Sequence, residues 1–179
     1  MNRKQLILKS SLILFSKKGI AGTSTKSIAN IAGVSEGLIF RHYQNKDGLV
    51  DALMEVATEK LKEITEDIIH ASNPKDILYL TIISLTKIPI TDYPLWKLIF
   101  TKKFENKKND YGLSNLLKEK VIEAFRELRF TKAKLEAELL LNSLDGMILA
   151  MLMNEEYEIE PLLALMIKKY QLNNHTKVK

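Results

Sequence analysis

The chain contains no cysteine, which excludes disulfide scaffolds and thiolate metal sites. Histidine is nearly as scarce. His42, His70 and His175 lie far apart and show no HExxH-like or other metal spacing. No glycine-rich phosphate loop follows a strand-like segment. The chain is therefore read as no enzyme, with no cofactor and no metal. No run of about 18 apolar residues exists, so nothing is expected to span a membrane. The opening MNRKQLILKSSLILFSKKG is broken by Lys9, Ser10 and Ser11, and no small-residue cleavage site follows it. It reads as a first amphipathic helix, and the protein is expected in the cytosol. Strand alternation, internal repeats and low-complexity segments are also missing. All four prolines lie after residue 73, near the ends of helical patterns, and five of the seven glycines lie in the first 48 residues, where tight corners are needed. The fold class is all-α.

Residues 23–46, TSTKSIANIAGVSEGLIFRHYQNK, carry the strongest signal. Two short helical patterns flank the break Ala32-Gly33-Val34-Ser35, the grammar of a helix-turn-helix. Ser24 or Thr25 can cap a helix that buries Ile28, Ala29 and Ala32 at 3.6-residue spacing. Ala29 is small enough for a second helix to cross closely. Gly33 supplies a positive φ after the last turn. Val34 plugs the corner, Ser35 caps the next helix, and Glu36 suits that helix's positive end. The second helix, about Glu36–His42, turns Leu38 and Ile39 inward. It is too short to be stable alone, and Ile7, Leu14, Phe15 and Ile20 supply the face that holds it.

Charge points to the same region. Residues 1–50 hold eight basic residues (Arg3, Lys4, Lys9, Lys17, Lys18, Lys26, Arg41, Lys46) and two acids (Glu36, Asp47). The rest holds 19 basic and 20 acidic residues, so the whole-chain charge of +5 is an N-terminal property. An excess this local favours a polyanionic partner.

The block from Leu6 to about Leu53 resembles the DNA-binding domain of TetR-type (tetracycline-repressor-like) regulators. The resemblance is carried by Phe15-Ser16-Lys17-Lys18-Gly19, Thr23 to Ala29, Ala32 to Tyr43, and Asn45-Lys46-Asp47 with Leu49. It implies a three-helix DNA-binding domain over 1–46 and a helical ligand-binding and dimerisation domain over 47–179. It also implies DNA contacts from Thr25, Lys26, Ser27, Ser35, Glu36, Gly37, Leu38, Phe40, Arg41, His42 and Lys46. Thr25 and Lys46 are expected to clamp the phosphate backbone, and Glu36, Gly37, Leu38 and Arg41 to lie nearest base edges. Phe40 stands where the family usually carries a tyrosine whose hydroxyl reaches a phosphate. Tyr43 stands where phenylalanine is usual, and its hydroxyl is expected to replace part of that contact. The implied partners are pseudo-palindromic operator DNA, a second copy of the chain and a small-molecule inducer, in the bacterial cytosol at the nucleoid.

Past residue 46 the pattern is helix after helix: 46–71 up to the stop Ser72-Asn73-Pro74, then Asp76–Lys87 closed by Pro89, Asp92–Lys103, Leu113–Leu128, Lys132–Met153 and Ile159–Tyr170. A polar loop is expected at Glu105–Asp110 and a frayed tail at His175–Lys179. The last two helices are apolar nearly all round and must be covered on both sides. A second copy is the expected cover, through Leu144, Ile148, Met151, Leu152, Leu162, Met166 and Tyr170; burial within one chain is the alternative. Trp96, Phe100 and Phe104 form an aromatic stripe at i, i+4, i+8. With Tyr79, Ile83, Phe125, Asn142 and Asp145 they are candidates for the inducer pocket, or for plain core. The reading that results is a ligand-responsive transcriptional regulator, a repressor released by a small apolar or amphipathic molecule. An architectural or cell-cycle DNA binder without an inducer stays open beside it.

Overall fold

A computed structural model describes residues 2–105, 112–154 and 156–172, the side chains of 103–105 and 112–114 excepted. The described residues form helices α1 (Arg3–Lys18), α2 (Thr25–Ala32), α3 (Glu36–Tyr43), α4 (Lys46–His70), α5 (Pro74–Ile83), α6 (Tyr93–Glu105), α7 (Gly112–Glu127), α8 (Ala133–Met153) and α9 (Glu160–Lys169), with no strand among them. Among the described residues no helix is long and apolar enough to cross a membrane. Most of the expected polar loop and the whole C-terminal tail lie outside the described residues.

The helices follow their local chemistry. Asn2 and Gln5 open α1 with a reciprocal capping box: the Asn2 side chain accepts from the Gln5 amide at 2.8 Å, and the Gln5 side chain accepts from the Asn2 amide at 3.0 Å. Asn73 caps α5, and Pro74 occupies its first turn. That helix starts two residues earlier than the sequence suggested and ends sooner. From Ser84 to Lys87 it tightens into a 3-10 turn. Pro89 has no amide to donate and disfavours helical backbone at Ile88, whose ψ is 107°. Pro94 lies in the first turn of α6, where its missing amide costs nothing.

The chain divides into two compact units. The first holds α1–α3, α4 as far as Lys60, and α6; the second holds α4 from Leu61, α5 and α7–α9. In the first, Ile7, Leu14 and Phe15 of α1, Ile28 and Ala29 of α2, Ile39 and Tyr43 of α3, Leu49, Leu53 and Ala57 of α4, and Leu95 and Leu98 of α6 share one apolar cluster. Each fully buried aliphatic side chain there contributes about 1.5–3 kcal/mol. A salt bridge of 2.6 Å joins Lys60 to Asp92 within this unit. The second unit is centred on Leu78, Ile82, Val121, Phe125, Ala137, Leu140 and Leu152, all with essentially no exposed surface. Phe125, Phe130 and Tyr170 stack edge to face there, with centroids 5.1–6.2 Å apart.

Candidate nucleic-acid interface

The α2–α3 corner is built as its residues dictate. Ser24 is the cap of α2: its hydroxyl accepts from the Ser27 amide at 3.1 Å. Gly33 takes a left-handed conformation, φ 65° and ψ 38°, and ends the helix. The Val34 amide then reaches back to the Ala29 carbonyl at 3.0 Å. Ser35 sits at the cap position of α3, but its hydroxyl makes no capping bond, so the expected Ser35 side-chain cap is not formed.

Helix α3 is eight residues long and rests on Ile39, which is fully buried, and on Tyr43. The Tyr43 hydroxyl donates to the Lys4 carbonyl at 2.9 Å. This corrects the expectation that Tyr43 would reach DNA. Its ring lies in the apolar cluster, its one proton goes to α1, and burial raises its phenol above the usual tyrosine value. Phe40 is outward, 47% exposed. Gly37, Arg41 and His42 are exposed, Glu36 is half-buried, and Leu38 packs its side chain against the core. Gly37, Phe40 and Arg41 lie within about 100° of one another around the helix. A side-chain carbon on Gly37 would meet open space, so nothing inside the chain requires glycine there.

Both expected backbone clamps have further duties. Thr25 donates its hydroxyl to the Glu36 carboxylate at 2.6 Å. A hydroxyl has one proton, so in this arrangement Thr25 offers a phosphate only its backbone amide. Ser27 likewise donates its hydroxyl to the Ser24 carbonyl. The Lys46 ammonium donates to the carbonyls of Ile20 (2.8 Å) and Thr23 (3.2 Å), tying the start of α4 to the α1–α2 loop. One N–H of its three remains beyond those two bonds. Lys26 is exposed.

The α3–α4 turn is fixed by a close approach. Asn45 accepts from the Gly48 amide at 2.8 Å. A side-chain carbon on Gly48 would lie 1.9 Å from the Tyr43 carbonyl oxygen, so only glycine fits between α4 and the end of α3.

The expected dimer residues are redistributed. Leu144, Met151, Leu152 and Tyr170 are already buried within one chain, at 5%, 5%, 0% and 6% exposure. These four leave a partner almost no surface to cover, so they are core of the single chain. Tyr170 instead closes the Phe125–Phe130 cluster and donates to Glu136 at 3.3 Å. Ile148, Leu162 and Met166 remain half-exposed. The outward apolar residues of α8 are Leu135, Leu139, Leu149 and Met153, with Leu165 on α9. Leu135, Leu139, Asn142, Gly146, Leu149 and Met153 alternate at spacings of four and three and fall within an arc of about 80°. The sequence held this signal, since that register differs by a few residues from the one chosen.

The pocket candidates divide between the units. Trp96 and Phe100 are buried in the first, although the apolar cluster there takes Leu95, Leu98 and Ile99 from α6 and neither aromatic. The Trp96 indole nitrogen is buried with no hydrogen-bond partner among the described residues. Phe104 has no described side chain. In the second unit Phe125 is enclosed by its ring neighbours, Tyr79, Ile83 and Asp145 are half-exposed, and Asn142 is exposed. A groove of about 460 Å³ opens between the end of α1 and α6, lined by Phe15, Ile20, Leu98, Lys97 and Lys102 among others. None of the pocket candidates with a described side chain lines it. No group of three or more potential metal ligands occurs among the described residues.

Residues 7–53 match the family model described as bacterial regulatory proteins, tetR family. An uncharacterized HTH-type transcriptional regulator of Bacillus subtilis, YerO, is 35% identical over 80 residues, covering 42% of this chain and 27% of that protein. An HTH-type transcriptional repressor of Mycobacterium tuberculosis is 38% identical over 72 residues, covering 40% of this chain and 36% of the repressor. The chain thus matches only about a quarter to a third of the length of these relatives. The crystal structure of AibR in complex with isovaleryl coenzyme A and operator DNA aligns with a TM-score of 0.66 at 18% identity, over 93% of this chain and 96% of that one. That likeness concerns the fold.

Proposed function

We propose that this chain, whose residues 7–53 match the model of the tetR family of bacterial regulatory proteins, is a homodimeric repressor of that family that binds a pseudo-palindromic operator and releases it when a small apolar or amphipathic molecule binds. One observation carries the reading. Helix α3 is held on buried Ile39 and Tyr43 and turns Gly37, Phe40 and Arg41 outward, in the part of the chain that holds the entire positive excess. A phosphate-lined groove with exposed base edges is the partner that fits such a face. The repressor relative supports the sign of regulation, and AibR, crystallised with both an acyl thioester ligand and operator DNA, supports control by ligand on this fold. The indole N–H of Trp96, without a partner among the described residues, supports a ligand contact on α6, because a buried donor left unpaired costs about 1–3 kcal/mol. The exposed stripe of α8 supports a twofold interface between copies.

Footprinting and gel shifts with upstream DNA test the reading. Two half-sites about 34–36 Å apart are expected, protected together by one dimer. Affinity is expected to fall steeply with salt. Protection of a single asymmetric half-site by a monomer would exclude the dimeric mechanism.

A further inference from the structure

We propose that Glu36 is a base-reading residue that selects cytosine at one symmetric position of each operator half-site, and that Thr25 positions it. The inference rests on the DNA-binding reading above. Glu36 opens α3, and the first residues of the second helix of a helix-turn-helix are those that reach base edges. It is the single acid among the residues of α2 and α3. A carboxylate facing the phosphates would be repelled, so on this surface it needs a donor from the groove floor or from the protein.

The protein satisfies only part of it. The Thr25 hydroxyl donates to Oε1 at 2.6 Å across the α2–α3 corner. A carboxylate has two oxygens and about four lone-pair sites, so Oε2 keeps its capacity to accept. The bond also removes side-chain freedom from a long acid, which lowers the entropy lost when a base docks. Of the four bases, guanine and thymine present acceptors in the major groove. Adenine presents an amino donor beside the N7 acceptor, which would repel the second carboxylate oxygen. Cytosine presents an amino donor with no acceptor next to it. A carboxylate held here therefore discriminates in favour of cytosine.

Selection from random-sequence duplexes tests this with the full chain and no knowledge of the operator. The wild type is expected to enrich a twofold-symmetric site with cytosine at one position of each half. Glu36→Gln supplies a donor and an acceptor side by side, which matches adenine N6 and N7, so preference at that one position should move from cytosine to adenine. Glu36→Ala should flatten it, a loss of roughly 5- to 100-fold in discrimination there, while other positions are unchanged. Thr25→Val keeps the branched shape and deletes the donor, and should weaken the cytosine preference without moving it. Melting curves of each variant separate misfolding from altered reading, and Glu36→Gln, equal in size, is the decisive one. If Glu36→Gln and Glu36→Ala enrich the wild-type site unchanged, Glu36 is a structural staple and the proposal falls. If the wild type enriches no site, the regulatory reading itself falls first.

Discussion

Helix α3 shows solvent one large apolar side chain, Phe40, among Glu36, Arg41 and His42. Helix α8 shows Leu135, Leu139, Leu149 and Met153 along one narrow arc that carries no charge. Both helices bury their opposite faces. The first leaves outward a charged, wettable face with a bare glycine in it, which suits a hydrated polyanion. The second leaves outward a seam of the kind another helix covers. Exposed apolar surface thus has two meanings in one chain, and the residues around it decide which applies.

The largest effect is expected on α8. Leu139→Glu combined with Leu149→Glu charges the exposed seam and touches nothing buried. It should convert dimer to monomer in sedimentation experiments and lower operator affinity by about a hundredfold or more, because two half-sites no longer act together. The fold of each chain should persist. Leu152→Ala, three residues from Leu149, should do the reverse. It empties a site with no exposed surface and should cost about 2–5 kcal/mol of stability while leaving the seam intact. If the double glutamate variant stays dimeric, the seam is not the interface.

The same two helices show what could be read from sequence and what could not. In α2 and α3 the fold is decided locally: Ser24 caps, Gly33 turns left-handed, and Ile39 must go in. These depend on neighbours within a few residues, so Gly33 and Ile39 were legible and the cap was narrowed to Ser24 or Thr25. In α8 the apolar residues go nearly all round, so periodicity offered two registers. Only the tertiary packing of the chain decided that Leu144, Met151 and Leu152 face inward. The bond from Thr25 to Glu36 and that from Tyr43 to Lys4 span 11 and 39 residues. No local pattern announces contacts of that kind, and they are what altered the expected roles of Thr25 and Tyr43. Gly48 was visible as a residue, but its reason, a carbonyl that a side chain would strike, is a fact of three dimensions.

A smaller effect is expected at a buried side chain of the second unit. Tyr170 has its phenol pushed up to about 12 by burial first, then by the charge of Glu136 and the hydrogen bond to it. A raised pKa means that the unfolded chain loses this proton first, from about pH 10. Stability from the group is therefore complete below pH 10 and is lost as pH rises toward 12. Urea titrations from pH 9 to 12 should show this loss in the wild type. Tyr170→Phe keeps the ring against Phe125 and Phe130 and should lack that component. An interface tyrosine exposed in one chain would titrate near its ordinary value, and the two proteins would then respond alike.

The smallest effect tests the outward face of α3. Gly37 is an ordinary helical position, with open space where a side chain would be. In water, Gly37→Ala should therefore stabilise the chain, by about 0.5 kcal/mol, because alanine loses less backbone freedom on entering a helix. Its melting temperature should rise slightly. If α3 enters the major groove with this face foremost, the added methyl group takes space that the groove floor needs. Operator affinity should then fall while random-sequence affinity, which depends on phosphate contacts, holds. The two measurements move in opposite directions for one reason: the position is empty for a partner and not for the fold. A variant that melts higher and binds operator as well as the wild type would mean that the bases approach α3 from another side, and Phe40 and Arg41 would lose their place at the groove floor with it.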